Sequence, residues 1–310
     1  MIREMKDSYP SISLVRFCRL LGVTRQAFYQ HFWHVEDIST EQQLVLEHIK
    51  LIRQEHPVIG GRKIFCMLQS FLLDHQIKIG RDALFDLLSA HKLLVRKRKR
   101  RVATTWSYHW LKKYPNLIKN WNPQMPEQLW EADITYVPTS KGFLYLSLVT
   151  DAYSHKIMGY HISDNLEAVH TTKALEMALT SITKINQLIH HSDRGLQYCS
   201  SEYVELLKAN NIQISMTENG DPLENPIAER INGIIKNEYL KHHSITNQPN
   251  AMQLLEKTVY KYNQQRPHQS INMLTPELVH QHKLQVNRKW RKQKQLSNIV
   301  NQKQDYLRNL

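Results

Sequence analysis

The sequence predicts a mixed α/β domain with flanking helices, preceded by an all-α region of helix-turn-helix units. Three observations carry this. Apolar residues recur at helical spacing between residues 11 and 91. From Trp130 the period changes to strand alternation, and strands then mix with helices. The charge divides in nearly the same place: residues 1–121 carry 21 basic and 10 acidic side chains, residues 122–283 carry 13 and 17, and residues 284–310 carry 7 and 1. The net charge of +13 therefore belongs to the flanks, and the middle is acidic. A chain of 310 residues has room for about two domains.

Composition excludes several classes. A hydrophobic content of 41% and an aromatic content of 9% exclude a disordered chain. Cys18, Cys66 and Cys199 lie far apart and form no CxxC pair, so they read as reduced thiols of a cytosolic protein. No apolar run approaches the roughly 18 residues that span a bilayer, and the start Met1–Asp7 lacks the apolar stretch of a signal peptide. The expectation is a cytoplasmic protein without a membrane partner.

In the N-terminal part, Leu14, Phe17, Cys18 and Leu21 share a helical face and Gly22 follows as a stop. Thr24 can cap a second helix, Arg25 to about Phe32, with Arg25, Gln26 and Gln30 exposed. That is a helix-turn-helix pattern, in which the second helix enters the major groove. Ser39 can cap a helix running to about Glu55, and Pro57 and Gly60-Gly61 break the chain. Arg62 to Leu73 then places Ile64, Phe65, Leu68, Phe71 and Leu72 on one face, and Arg81 to His91 turns Leu84, Leu87 and Leu88 inward. The basic run Arg96-Lys-Arg-Lys-Arg-Arg101 follows, with Arg96, Arg98, Arg100 and Arg101 as candidate phosphate contacts. The expected division is 1–55, a first helix-turn-helix region; 56–101, a second with its basic run; 102–121, a linker anchored by Trp106, Trp110 and Trp121; 122–283, the acidic core; and 284–310, a basic tail.

In the core, Trp130–Val137, Phe143–Val149 and Lys156–Ile162 read as three strands joined by turns, the first at Lys141-Gly142. Thr171–Ile182 reads as a helix, Gln187–His191 as a short buried strand, Ser201–Asn210 as a helix and Ile212–Met216 as a strand. Pro226–Tyr239 reads as one further helix. Three acids stand out. Asp133 is polar within a strand, Asp193 follows the end of a strand, and Glu229 lies in the first turn of a helix. Each position alone is compatible with a structural acid. Glu218 and Glu224 are rival third acids, but both precede the helix in a Gly/Pro-rich stretch. His190-His191 has no second ligand pair spaced to make a zinc site.

As a set the acids resemble a known family. Fifty-nine residues separate Asp133 from Asp193 and 35 separate Asp193 from Glu229. This spacing is similar to the D-D-35-E triad of transposases and retroviral integrases. The surrounding words narrow it: Trp130-Glu-Ala-Asp-Ile-Thr-Tyr136, His191-Ser-Asp-Arg-Gly-Leu-Gln-Tyr198, Asn225-Pro-Ile-Ala-Glu229 with Lys236, Tyr262-Asn-Gln-Gln-Arg-Pro-His268 and Thr275-Pro276. They resemble bacterial insertion-sequence transposases of the branch encoded in two overlapping frames, and the chain resembles the second-frame product.

The resemblance implies a ribonuclease-H-like sheet and an enzyme that cleaves DNA at the element's ends and transfers the 3′-OH to another phosphodiester. It implies two Mg²⁺ (or Mn²⁺) ions held by Asp133, Asp193 and Glu229, hard oxygen ligands suited to such ions. Asp133 would bridge both. It also implies DNA as partner, a homo-oligomer on the DNA, and the upstream-frame product as a separate or fused partner. Glu229, Asn232, Gly233 and Lys236 fall at i, i+3, i+4 and i+7, which puts Lys236 beside the third acid for a DNA contact. Gly233 would allow close backbone approach, and Arg266 is a candidate phosphate contact. Two other readings remain open at this point: a helix-turn-helix regulator with an inert core, and a general nuclease on the same fold.

Overall fold

The helical spacing of the N-terminal part becomes two groups of helices in the computed structural model of the chain. The structure describes residues 5–6, 8–29, 40–95, 109–119, 121–140, 142–182, 187–218 and 224–286. Helix α1 (Leu14–Leu20) buries Phe17 and Cys18, and Gly22 leaves it at φ +67°. Residues 25–29 are helical, with the Thr24 hydroxyl accepting the Ala27 N–H at 3.0 Å as its cap. The expected continuation to Phe32 and the Ser39 cap lie outside the described residues.

The second group comprises α2 (Thr40–Glu55), α3 (Gly61–Met67), α4 (Gln69–Asp74) and α5 (Arg81–Ala90). The single helix expected over Arg62–Leu73 is broken at Leu68, which lies between α3 and α4. Its apolar face survives the break, because Ile64, Leu68 and Leu72 all reach the same cluster with Val45, Ile49, Leu84 and Leu88. That cluster crosses the boundary expected at residue 55: α2 packs with α3–α5, so one helical unit spans 40–95. A Cβ at Gly61 would press against Phe85 and Leu88, so glycine lets α3 and α5 approach.

The core is a five-stranded sheet of β1 (Leu129–Thr139), β2 (Gly142–Asp151), β3 (Ile157–Ser163), β4 (Ile189–Ser192) and β5 (Gln213–Met216). The strand order is β3-β2-β1-β4-β5; the first three strands are antiparallel, and β4 and β5 add in parallel. This is the mixed ribonuclease-H-like sheet that the resemblance implied. Strand period two sends side chains to opposite faces. Trp130, Ala132, Val149 and Met158 pack under α6 (Ala168–Thr180) and α7 (Ser201–Ala209). Val137, Leu144, Leu146, Leu148 and Ile162 pack under α8 (Pro226–Ile234) and α9 (Gln248–Gln264). Each fully buried side chain of this size contributes roughly 1.5–3 kcal/mol. A Cβ at Gly159 would collide with the Ala174 carbonyl, so β3 and α6 meet backbone to backbone. Helix α10 (Pro276–His282) starts with Pro276 as expected, although the Thr275 side chain makes no capping hydrogen bond.

The helix expected to run unbroken from Pro226 to Tyr239 does not. It is α-helical to Ile234, then continues as a π-helical segment, Ile235–Tyr239, before a 3₁₀ turn at Leu240–His242. Widened turns of this kind occur mostly as single insertions in helices, often at functional sites. Both flanking regions are apolar: Ile231, Ile235 and Leu240 all enter the same core.

The expected linker is only partly a linker. Residues 109–119 lie along the free edge of β5, where the Met216 N–H donates to the Pro115 carbonyl and the Leu117 N–H to the Ser215 hydroxyl. Leu111 and Tyr114 pack on the core, whereas Trp110 and Trp121 are exposed and anchor nothing. Trp106 lies outside the described residues. Among the described residues no helix is long and apolar enough to cross a membrane.

Candidate active site

The sheet register brings the first two acids together. In the parallel ladder Leu129 pairs with Ile189, Trp130 with His190 and Glu131 with His191. Continued along both chains, that offset sets Asp133 beside Asp193, just past the end of β4. The Asp193 carboxylate accepts the Gly195 N–H at 2.9 Å, which fixes its direction.

The third acid is held against the same strand. The Asn232 side-chain amide donates to Asp133 Oδ2 at 2.8 Å, and Glu229 lies one turn before Asn232 on α8. The N-terminus of α8 is fastened at two further points. Glu131 is buried, and its Oε2 accepts the N–H groups of Ile227 and Ala228 at 3.0 and 3.1 Å. The Asn225 side chain donates to the Ala132 carbonyl at 2.9 Å. A strand carboxylate thus satisfies orphan donors of the helix and complements its dipole. Glu131, Asn225 and Asn232 had no assigned role in the sequence, where an acid in an alternating strand resembles a surface position. The signal was present in the fixed spacing Glu131-Ala-Asp133 and Asn225…Glu229…Asn232.

The electrostatics follow from burial. Asp133 is pushed up to about 7, first by desolvation, then by the neighbouring charge of Asp193, with Glu229 adding to it; the Asn232 hydrogen bond works the other way. Burial also raises Asp193. Three carboxylates sharing one field call for a cation, and hard oxygen donors fit a divalent ion. Two buried polar atoms nearby, Tyr198 OH and Asn232 Oδ1, have no hydrogen-bond partner among the described residues, and the Tyr198 hydroxyl lies in the field of Asp133 and Asp193. Among the described residues no three His, Cys, Asp or Glu side chains stand gathered as a ready-made metal cage. The acids share a field without being closed around a common point.

The other sequence candidates fall differently. His190 bonds the Tyr203 hydroxyl and His191 the Ser215 hydroxyl, each at 2.8 Å, and burial lowers them to about 3 and about 4. Both are structural partners within the sheet layer. Glu218 pairs with Lys119, and Glu224 accepts the Glu218 N–H, so the rival acids are tied to the β5 edge. Lys236 is half-buried in the π-helical segment, and the ideal α-helical face through Glu229 does not extend to it unchanged. A Cβ at Gly233 would meet open space, so no neighbour within the protein demands glycine there.

Arg266 requires a correction. Its side chain is 2% exposed and forms a bidentate pair with Glu238, with contacts of 2.9–3.0 Å, and a 2.8 Å bond to His268. A guanidinium spent in this way cannot reach a phosphate. Arg25 is exposed on the short helix, while Arg96, Arg98, Arg100 and Arg101 lie outside the described residues.

Comparison with known proteins places the chain among relatives. Two models described as integrase core domain match residues 123–222 and 210–276. A 31 kDa protein of insertion element IS600 from Shigella sonnei is 34% identical, over 84% of this chain and 95% of its own length. The transposase for insertion sequence IS629 from Shigella sonnei is 31% identical, over 74% of this chain and 78% of its own. Transposase InsF for IS3A from Escherichia coli K12 is 28% identical, over 86% and 93%. Among solved structures, the HTLV-2 integrase catalytic core domain in complex with magnesium aligns over 51% of this chain and 99% of its own at 22% identity, with a TM-score of 0.42.

Proposed function

The chain belongs to the integrase-core family of DDE-type insertion-sequence transposases, a DNA transposase of the polynucleotidyl-transferase kind, and from that premise we propose that Asp133, Asp193 and Glu229 are its catalytic, metal-holding acids. The observation that carries this is the β1–β4 register together with the Asn232–Asp133 bond, which puts three acids from distant parts of the sequence into one field.

Asp133, Asp193 and Glu229 would together hold two Mg²⁺ or Mn²⁺ ions, to which their hard carboxylate oxygens are suited. When bound, such ions activate the attacking oxygen and stabilise the leaving oxygen of a phosphodiester. Burial raises the proton affinity of Asp133, so its carboxyl would have to release a proton to solvent before it could serve as a cation ligand. Asn232 fixes one oxygen of Asp133, the Gly195 N–H fixes Asp193, and Glu131 sets the start of the helix that carries Glu229. The chemistry is cleavage at the element's terminal repeat to free a 3′-OH, followed by attack of that hydroxyl on a second phosphodiester, with the cleaved oxygen leaving.

The helical regions before the core read DNA, with Arg25 and the run at Arg96, Arg98, Arg100 and Arg101 supplying phosphate contacts and Lys236 a contact near the site. The working species is a homo-oligomer on DNA in the bacterial cytoplasm and nucleoid, with the upstream-frame product as partner or fusion. The test is cleavage and joining of DNA bearing the element's repeats, with Mg²⁺ or Mn²⁺ against chelator. Asp133→Asn and Glu229→Gln should abolish both reactions and leave DNA binding intact. Full activity in either variant removes the acid assignment.

A further inference from the structure

One large aromatic side chain near the acids is unused by the fold. Trp110 is 92% exposed, although its backbone is held on both sides. The preceding residue, His109, bonds the Arg194 carbonyl through Nε2 at 2.6 Å. The following residues are fixed by the packing of Leu111 and Tyr114 on the core and by the Pro115 and Leu117 contacts to β5. A stretch of chain held by these contacts therefore leaves an indole in solvent close to the residue that follows Asp193. Exposure of this kind costs apolar burial that a rotated or shorter side chain would avoid.

The surroundings select a partner. Lys112 and Lys113 follow Trp110, the Lys112 ammonium lies 5.4 Å from the Tyr114 ring, and the Lys113 ammonium donates to the His109 carbonyl at 2.9 Å. Cations thus gather on this rim of an otherwise acidic core. An exposed flat ring among cations beside a phosphodiester-cleaving site suits a nucleic-acid strand, with the base on the ring and phosphates on the cations. Stacking needs an unpaired base, because a paired one presents only its edge.

We propose that Trp110 is a stacking platform for a DNA base that has left the duplex beside the acid site. The inference rests on the transposase reading of that site, but it can fail separately. The platform holds the strand near the scissile phosphate and opens the duplex locally, and Lys112, Lys113 and Arg194 carry the backbone.

The test measures binding of the full chain in chelator, so that no cleavage enters. The probes are an oligothymidine of about 12 nucleotides and a blunt duplex of equal length. Trp110→Ala should bind the oligothymidine about tenfold more weakly while duplex affinity changes less than about twofold. Trp110→Phe should retain most of the single-strand affinity. Tryptophan emission should fall on adding oligothymidine to the unaltered chain, and that fall should be missing from Trp110→Phe. Equal losses on both probes, no loss on either, or no binding of oligothymidine by the unaltered chain would each overturn the proposal. A changed sedimentation coefficient in Trp110→Ala with unchanged DNA binding would overturn it in favour of a chain–chain contact. Inactive Asp133→Asn with an unaltered Trp110→Ala profile removes the platform alone; active Asp133→Asn removes the acid assignment and leaves the binding result standing.

Discussion

The two ends of the helix that carries Glu229 are held by different parts of the molecule. Its first turns are gripped by a single strand: Glu131 takes the N–H groups of Ile227 and Ala228, the Ala132 carbonyl takes Asn225, and Asp133 takes Asn232. Its π-helical continuation is gripped by other elements. Glu238 pairs with Arg266 after α9, and the Tyr239 hydroxyl bonds His56 at the end of α2 at 2.8 Å. Nearby, Glu55 pairs with Lys261 of α9 at 2.6 Å. The first half is therefore referenced to β1 and the second to the helical unit that precedes the core. The contrast assigns geometry of the acids to one end and cohesion between regions to the other.

Breaking the first end should have the largest effect on rate. Glu131→Ala leaves two helix N–H groups unpaired and frees the start of α8. We expect strand transfer to fall roughly a hundredfold, as for a misplacement of about 1 Å. Glu131→Gln keeps an acceptor and should recover much of it. Rates and melting temperature measured together decide this, since a loss explained by unfolding alone would erase the contrast. Breaking the second end should act on stability instead. Arg266→Ala leaves Glu238 without its buried partner and should cost about 3 kcal/mol in denaturant unfolding. DNA affinity of the folded variant should be unchanged, because Arg266 is inside.

A third expectation concerns the price of the acid cluster. Asp133 titrates near 7 in the folded chain and near 4 when unfolded, so its charge opposes folding as pH rises through that interval. In chelator, Asp133→Asn should be more stable than the unaltered chain by up to about 4 kcal/mol at pH 8, and the difference should vanish below pH 4. A difference that persists in acid would refute burial of a charged Asp133 as the cause. The smallest effect should come from Tyr239→Phe, which removes one buried hydrogen bond and about 1 kcal/mol. If it slowed strand transfer as much as Glu131→Ala, the two ends would not be distinct.

Much of the core was legible because the sequence states it locally. Alternation from Trp130, the Gly22 stop and the Pro276 start each act within a few residues. The proximity of Asp133 to Asp193 was legible through the words and spacing around them. The π-helical segment was not, because the apolar residues Ile231, Ile235 and Leu240 suit an unbroken amphipathic helix nearly as well. Arg266 misled for another reason: a lone arginine beside Pro267 gives no local sign that Glu238, distant in sequence, neutralises it. The same holds for the expected linker, whose tryptophans looked like anchors while Leu111 and Tyr114 anchor it.

The parallel pairing of β1 with β4 bears on how such chains can change length. The two aspartates face each other because both lie the same number of rungs beyond a shared ladder, not because of how many residues intervene. Everything between them, including the β1–β2 turn and α6, loops out and returns to the same rung. Residues can be added or lost in the turns and connections there, outside the strands, without moving either acid. A deletion of one residue between Glu131 and Asp133, by contrast, would turn the carboxylate to the opposite face of the sheet. The 59-residue interval is thus loose hereditary baggage, while the two-residue step along β1 is the part under strict tolerance.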